Sequence, residues 1–110
     1  MFSKSKTYNE DLLTSISASV GIERLRDKTI LITGATGTIG SYLIDMLLKY
    51  NEQGAGIRII AANFDMEALH NRFDDVKTEF LSYAAHNILG DIKWDFDCDY
   101  IIHTAGFAFP

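Results

Sequence analysis

Short apolar runs separated by helical stripes set the pattern of this chain. Residues 29–32 are Thr29, Ile30, Leu31 and Ile32, a run that predicts a strand buried on both faces. The apolar period then lengthens. Ile39, Tyr42, Leu43, Met46, Leu47 and Tyr50 recur at i, i+3, i+4, i+7, i+8 and i+11, one face of an α-helix. A turn-forming cluster occupies residues 51–56, and a second strand is predicted over 57–62. Met66, Leu69 and Phe73 share a face of a helix over 66–73, a third strand follows over 79–84, and a fourth over 100–104. Upstream, Leu12, Leu13, Ile16 and Val20 predict a helix over 9–20, with Glu10 and Asp11 near the positive end of its dipole and Gly21 at its stop. Residues 1–8 are polar and read as a frayed end. Strands alternating with helices predict an α/β fold with a parallel sheet of about four strands and flanking helices.

The junction between the first strand and the long helix carries the candidate chemistry. Gly34, Gly37 and Gly40 stand at three-residue spacing. Gly34 lets the chain turn sharply off the strand, the missing Cβ at Gly37 leaves space for a phosphate, and Gly40 brings the helix close to the strand. A strand that feeds a helix in this way leaves the first helical amides unpaired. That end binds anions, most often the pyrophosphate of a dinucleotide on a Rossmann-type sheet. The spacing is G-x-x-G-x-x-G. It is not the G-x-G-x-x-G fingerprint, and it is not a P-loop, because no Gly-Lys-Ser/Thr follows.

Other residues are weighed against this turn. An acid at the end of the second strand commonly grips the adenosine ribose; Asn63 stands about there and is a candidate ribose contact, while Asp65 reads as the cap of the next helix. His103 lies in the fourth strand and reads as a hydrogen-bonded core residue. His70 and His86 are not at metal-ligand spacing with it or with Cys98. Asp95, Asp97 and Asp99 alternate like a calcium loop, but Tyr100 and Gly106 occupy the positions that need Gly and Glu, so a solvated acidic turn is the reading. Trp94 and Phe96 are read as covering core edges.

Composition narrows the classes. At 110 residues the chain is one small domain, and 47% apolar residues suffice for a core. A net charge of −5 argues against nucleic acid as a partner. The single cysteine excludes an internal disulfide and fits a reducing compartment. No basic-then-apolar leader opens the chain, and no apolar run approaches the ~20 residues of a membrane span. A cytoplasmic protein with no membrane partner is expected.

The segment Thr33-Gly34-Ala35-Thr36-Gly37-Thr38-Ile39-Gly40, with Asp99-Tyr100-Ile101-Ile102-His103-Thr104-Ala105-Gly106 further on, resembles the extended short-chain dehydrogenase/reductase family. These are NAD-dependent epimerases, dehydratases and decarboxylases acting mainly on nucleotide sugars. The resemblance implies that Gly34, Gly37, Thr38, Ile39 and Gly40 line the pyrophosphate and that Ala105 and Gly106 flank the nicotinamide ribose. The cofactor it implies is NAD, with NADP not excluded. Asn63 and Phe64 stand where the family places an acid or an arginine, and Asn87 stands where an aspartate meets adenine. The family's Tyr-x-x-x-Lys pair is absent: the residues four beyond Tyr8, Tyr42, Tyr50, Tyr83 and Tyr100 are Leu12, Met46, Gly54, Asn87 and Thr104.

The expected organisation is an N-terminal extension with a helix over 1–28, then the first part of a dinucleotide-binding Rossmann domain over 29–110, truncated after its fourth strand. On this reading the chain is the cofactor-binding fragment of a nucleotide-sugar epimerase or dehydratase, inactive alone, which meets its sugar substrate only in the intact enzyme. The alternative is a small non-catalytic nucleotide-binding or interaction module; a flavin or methyl-donor protein is disfavoured by the His-Thr-Ala-Gly segment. The fourth strand is apolar on both faces and lacks lysine or proline, and Phe107 and Phe109 follow it. A homo-oligomer through this exposed strand is therefore expected.

Overall fold

Strand β1 (Thr29–Thr33) is covered on both faces, as its unbroken apolar run requires, and every residue from Ile30 to Thr33 is buried. In this computed structural model, which describes residues 6–19, 21–85 and 98–104, β1 pairs in parallel on both edges. β2 (Arg58–Asn63) lies on one side, with Ile30 opposite Ile59 and Ile32 opposite Ala61. β4 (Tyr100–His103) lies on the other, with Ile30 opposite Tyr100 and Ile32 opposite Ile102. β3 (Leu81–Ala85) adds to the far edge of β2, giving an all-parallel sheet of order β3-β2-β1-β4. This is the α/β arrangement that the alternation of runs and stripes predicts.

Helices α2 (Thr38–Asn51) and α3 (Met66–Phe73) connect β1 to β2 and β2 to β3. Both cover one sheet face, where Ile30, Ile32, Ile59 and Ala61 meet Ile44, Leu47 and Leu48 of α2 and Leu69 and Phe73 of α3. Leu31, Ile60 and Ala62 form a smaller cluster on the opposite face, with Cys98 against it. Asn51 closes the loop from α2 into β2. Its amide donates to the Ile57 carbonyl at 2.9 Å and its oxygen accepts from the Ile57 amide at 2.8 Å, so one side chain satisfies both backbone groups of a buried residue.

Several expectations need correction. Helix α1 spans Lys6–Ala18, so Tyr8 is helical, and the described part of the expected frayed end is ordered. Tertiary bonds fix it: the Tyr8 hydroxyl donates to Asp45 at 2.5 Å, and Tyr42 pairs with Ser15 at 2.7 Å. Because α1 begins at Lys6, its first turn holds no acid, and Glu10 and Asp11 lie beyond reach of the end of the dipole.

The buried face of α2 is also turned from the expected stripe. Ile39 is 67% exposed, whereas Ile44, Leu48, Ser41 and Asp45 are buried. A helix covered by a sheet on one side and by α1 on another buries more than one stripe. β4 pairs only with β1 among the described residues, and its Tyr100 and Ile101 are 45% and 48% exposed. The readings for His86, Asn87, Trp94, Asp95, Phe96, Asp97, Ala105, Gly106, Phe107 and Phe109 lie outside the described residues.

Asn51→Ala should cost about 1–3 kcal/mol in urea denaturation, the size expected when buried backbone groups lose their partner. A loss below about 0.5 kcal/mol, within the range of an ordinary surface substitution, would show that the loop holds without it.

Candidate functional site

At the carboxyl end of β1 the chain reverses through Gly34, whose φ of 65° lies in the left-handed region that side chains with a Cβ rarely adopt. The Ala35 amide then donates to Ala62 at 3.2 Å, tying the turn to β2. The Gly37 amide returns to the Gly34 carbonyl at 3.0 Å, and the Ser41 amide donates to Gly37 at 2.9 Å, starting α2. Gly37 is the N-cap and is extended, with φ −72° and ψ 169°; it offers no side chain to the first amides of the helix. Thr38 and Ile39 are exposed at this end. The result is an open, uncapped helix N-terminus facing solvent beside the sheet, the arrangement that accepts an anion.

Gly40 explains how α2 can start so close to the strand. A Cβ there would collide with the Gly34 carbonyl oxygen and come within 2.7 Å of the Thr104 hydroxyl. Gly37 is different: a Cβ would meet only the Gly34 oxygen, at 3.3 Å. Thr104, just past β4, donates its hydroxyl to the carbonyls of Thr33 at 2.5 Å and Gly34 at 3.2 Å. The turn is thus bounded by β2 on one side and by the end of β4 on the other.

The candidates at the end of β2 divide. Asn63 is buried, and its amide donates to the Asp65 carbonyl at 3.2 Å. Asp65 caps α3 by accepting from the Ala68 amide at 3.1 Å, as its position before the helix suggests. Phe64, between them, is 74% exposed. His103 is hydrogen-bonded as expected, through Nδ1 to the Thr33 hydroxyl at 3.1 Å. It is exposed rather than in the core, since β4 forms an edge among the described residues. Among those residues no group of His, Cys, Asp or Glu could hold a metal ion, and no helix is long and apolar enough to cross a membrane.

Sequence reasoning missed a polar cluster beside the turn. A cleft of about 520 Å³ is bordered by Tyr8, Thr36, Thr38, Ser41, Tyr42 and Arg72. Beneath it Asp45, fully buried, accepts from both the Tyr8 hydroxyl and Arg72 Nη2 at 2.5 Å. Tyr8 and Tyr42 meet edge to face at 5.8 Å. The Tyr8 hydroxyl is pushed up to about 12, first by burial and then by the hydrogen bond and charge of Asp45. For Arg72, burial acts to lower the value, but the bond and charge of Asp45 outweigh it and hold the guanidinium above its ordinary range. The one available signal was Asp45 itself, a charge set between Ile44 and Met46 in an apolar helix.

A parallel sheet of order 3-2-1-4 with a glycine turn opening onto the first crossover helix is a Rossmann-like α/β arrangement. The family model described as "NAD dependent epimerase/dehydratase family" matches residues 30–110, and the chain belongs to that family, which is generally NAD(P)-dependent. Helix α1 lies ahead of the matched region. Comparison with curated proteins returns no match.

The raised Tyr8 value carries a stability signature. The folded chain holds this proton up to about pH 12, whereas the unfolded chain releases it near 10.0. The stabilisation is therefore whole below pH 10 and is lost as pH rises towards 12. Tyr83 is also raised, by burial and then by Asp74, so Tyr8→Phe should shrink the alkaline loss without abolishing it. Urea midpoints taken across this window should fall less steeply for the variant than for the parent. Parallel curves would show that Tyr8 does not titrate against folding.

Proposed function

We propose that these 110 residues hold the dinucleotide of an NAD-dependent nucleotide-sugar epimerase or dehydratase and do not turn over substrate by themselves. The observation that carries this reading is the uncapped N-terminus of α2, with extended, Cβ-free Gly37 at its cap position. The residues fit the group. The amides of Thr38, Ile39 and Gly40 open the helix and take the pyrophosphate, and Gly37 leaves room for its oxygens. Gly34 and Gly40 hold the turn in shape from below.

NAD is the form the end of β2 favours. Residues 63–66 contain no cation, and the carboxylate nearby, Asp65, is exposed and fixed by its capping bond. A 2′-phosphate placed there would meet like charge. Bound at this turn, NAD supplies a hydride acceptor and donor. The proton transfer that accompanies hydride movement needs a positioned acid–base group, and the chain has no Tyr-x-x-x-Lys pair to serve as one. Asn87, Ala105 and Gly106 are kept as proposed contacts to adenine and to the nicotinamide ribose, by resemblance to the family. Asn63 contributes at the ribose through the backbone it braces at Asp65.

Calorimetric titration of NAD into the parent and into Gly37→Val tests the reading. The variant keeps an accessible backbone conformation, and its Cβ presses on the Gly34 oxygen at 3.3 Å, which a shift of a few tenths of an ångström relieves, so its circular dichroism should match the parent. Its affinity should fall by at least about tenfold, because the side chain occupies phosphate space. Equal binding in both proteins would overturn the pyrophosphate assignment.

A further inference from the structure

We infer that Thr104 is a positioning residue for the dinucleotide turn: its hydroxyl fixes the carbonyl on which the Gly37 amide and the first turn of α2 rest. The inference rests on the reading that the turn holds a dinucleotide, and it adds a residue from the end of the strand that flanks β1 on the side away from β2.

The geometry converges on one oxygen. The Gly34 carbonyl accepts the Gly37 amide at 3.0 Å and the Thr104 hydroxyl at 3.2 Å. The same oxygen sits so close to Gly40 that no Cβ fits between them. The Thr33 carbonyl, one residue earlier, accepts the Thr104 hydroxyl at 2.5 Å and the Thr104 amide at 3.3 Å. Both acceptors are carbonyls, so the threonine must be the donor. Its single proton is shared across the last carbonyl of β1 and the first of the turn.

A side chain just past β4 therefore sets the tilt of the peptide that places Gly37 and Thr38. Loss of the proton would leave the Gly34 carbonyl with the Gly37 amide alone and the Thr33 carbonyl with the Thr104 amide alone, and the Gly34 peptide would lose the tie to the end of β4 that fixes its tilt. Gly37 is bonded to that peptide and would move with it.

Three variants separate this role from simple packing. Thr104→Val keeps the shape and removes the donor, Thr104→Ala removes both without adding a methyl clash, and Thr104→Ser keeps the donor. Affinity for NAD and for ADP-ribose, which retains the pyrophosphate but lacks nicotinamide, is measured by calorimetry. Amide resonances are followed by ¹⁵N–¹H spectroscopy without ligand. Val and Ala should weaken both ligands by the same factor of about ten, the loss of one well-placed hydrogen bond. Ser should stay within about threefold of the parent. The amides of Gly34, Gly37, Thr38 and Ile39 should shift in Val and Ala and return in Ser, with those of Leu69 and Phe73 unmoved. Parent-like affinity or unmoved turn amides in Val and Ala would overturn the assignment. So would a larger loss for NAD than for ADP-ribose, which would place the effect at the nicotinamide end. If the parent binds neither ligand while the turn amides shift and recover as stated, the positioning role stands and the dinucleotide reading fails.

Discussion

The start of α2 rests on the backbone of the turn before it, with the Gly34 carbonyl against Gly40 and no side chain between. Much of the site follows from that contact. It requires a left-handed residue at the turn, met by Gly34, and a helix whose first residues lie beside the sheet. It also requires that α2 be held firmly along its length, because a glycine-rich start has little intrinsic preference for a helix. Ile44, Leu47 and Leu48 supply that hold by packing on β1 and β2. The open helix end is thus stabilised by burial further down rather than by a cap at the terminus, which leaves the terminal amides for a ligand.

A second set of interactions holds α2 from outside. Asp45 faces Tyr8 of α1 and Arg72 of α3 and joins three helices through one carboxylate oxygen. A buried ion pair of this kind adds little net stability compared with an apolar replacement, but removing one partner is expensive, about 3–5 kcal/mol where the remaining charge is fully buried. Arg72 is partly exposed, which softens that figure. The arrangement favours one docking of the three helices over its neighbours, and it fixes α1, which precedes the family match, against the helix that carries the site.

The legible parts of this molecule were those set by local rules. Strand β1 was visible because burial on both faces demands an unbroken apolar run, and α3 with its Asp65 cap because a capping side chain must stand next to the helix it caps. The turn was visible because only glycine meets the demands at Gly34 and Gly40. What escaped reading depended on partners far along the chain. The early start of α1 depends on Tyr8 reaching Asp45, thirty-seven residues away. The rotated face of α2 reflects cover from α1 as well as the sheet, which no single helical stripe encodes. His103 was placed in the core because its neighbours are apolar, yet among the described residues its strand pairs on one edge and leaves it exposed. Thr104 looked like an ordinary strand end, since nothing local shows that its hydroxyl meets carbonyls seventy residues earlier.

The central claim is that the α2 N-terminus is where this family member takes its dinucleotide. Its most direct measurement is an ¹⁵N–¹H titration of the labelled chain with NAD. The account predicts saturable shifts that are largest at Gly34, Gly37, Thr38 and Ile39, with the second half of α2 and the end of α3 unmoved. Shifts centred instead on the cleft bordered by Tyr8, Tyr42 and Arg72 with the turn amides still, or no saturable shift anywhere, would contradict it.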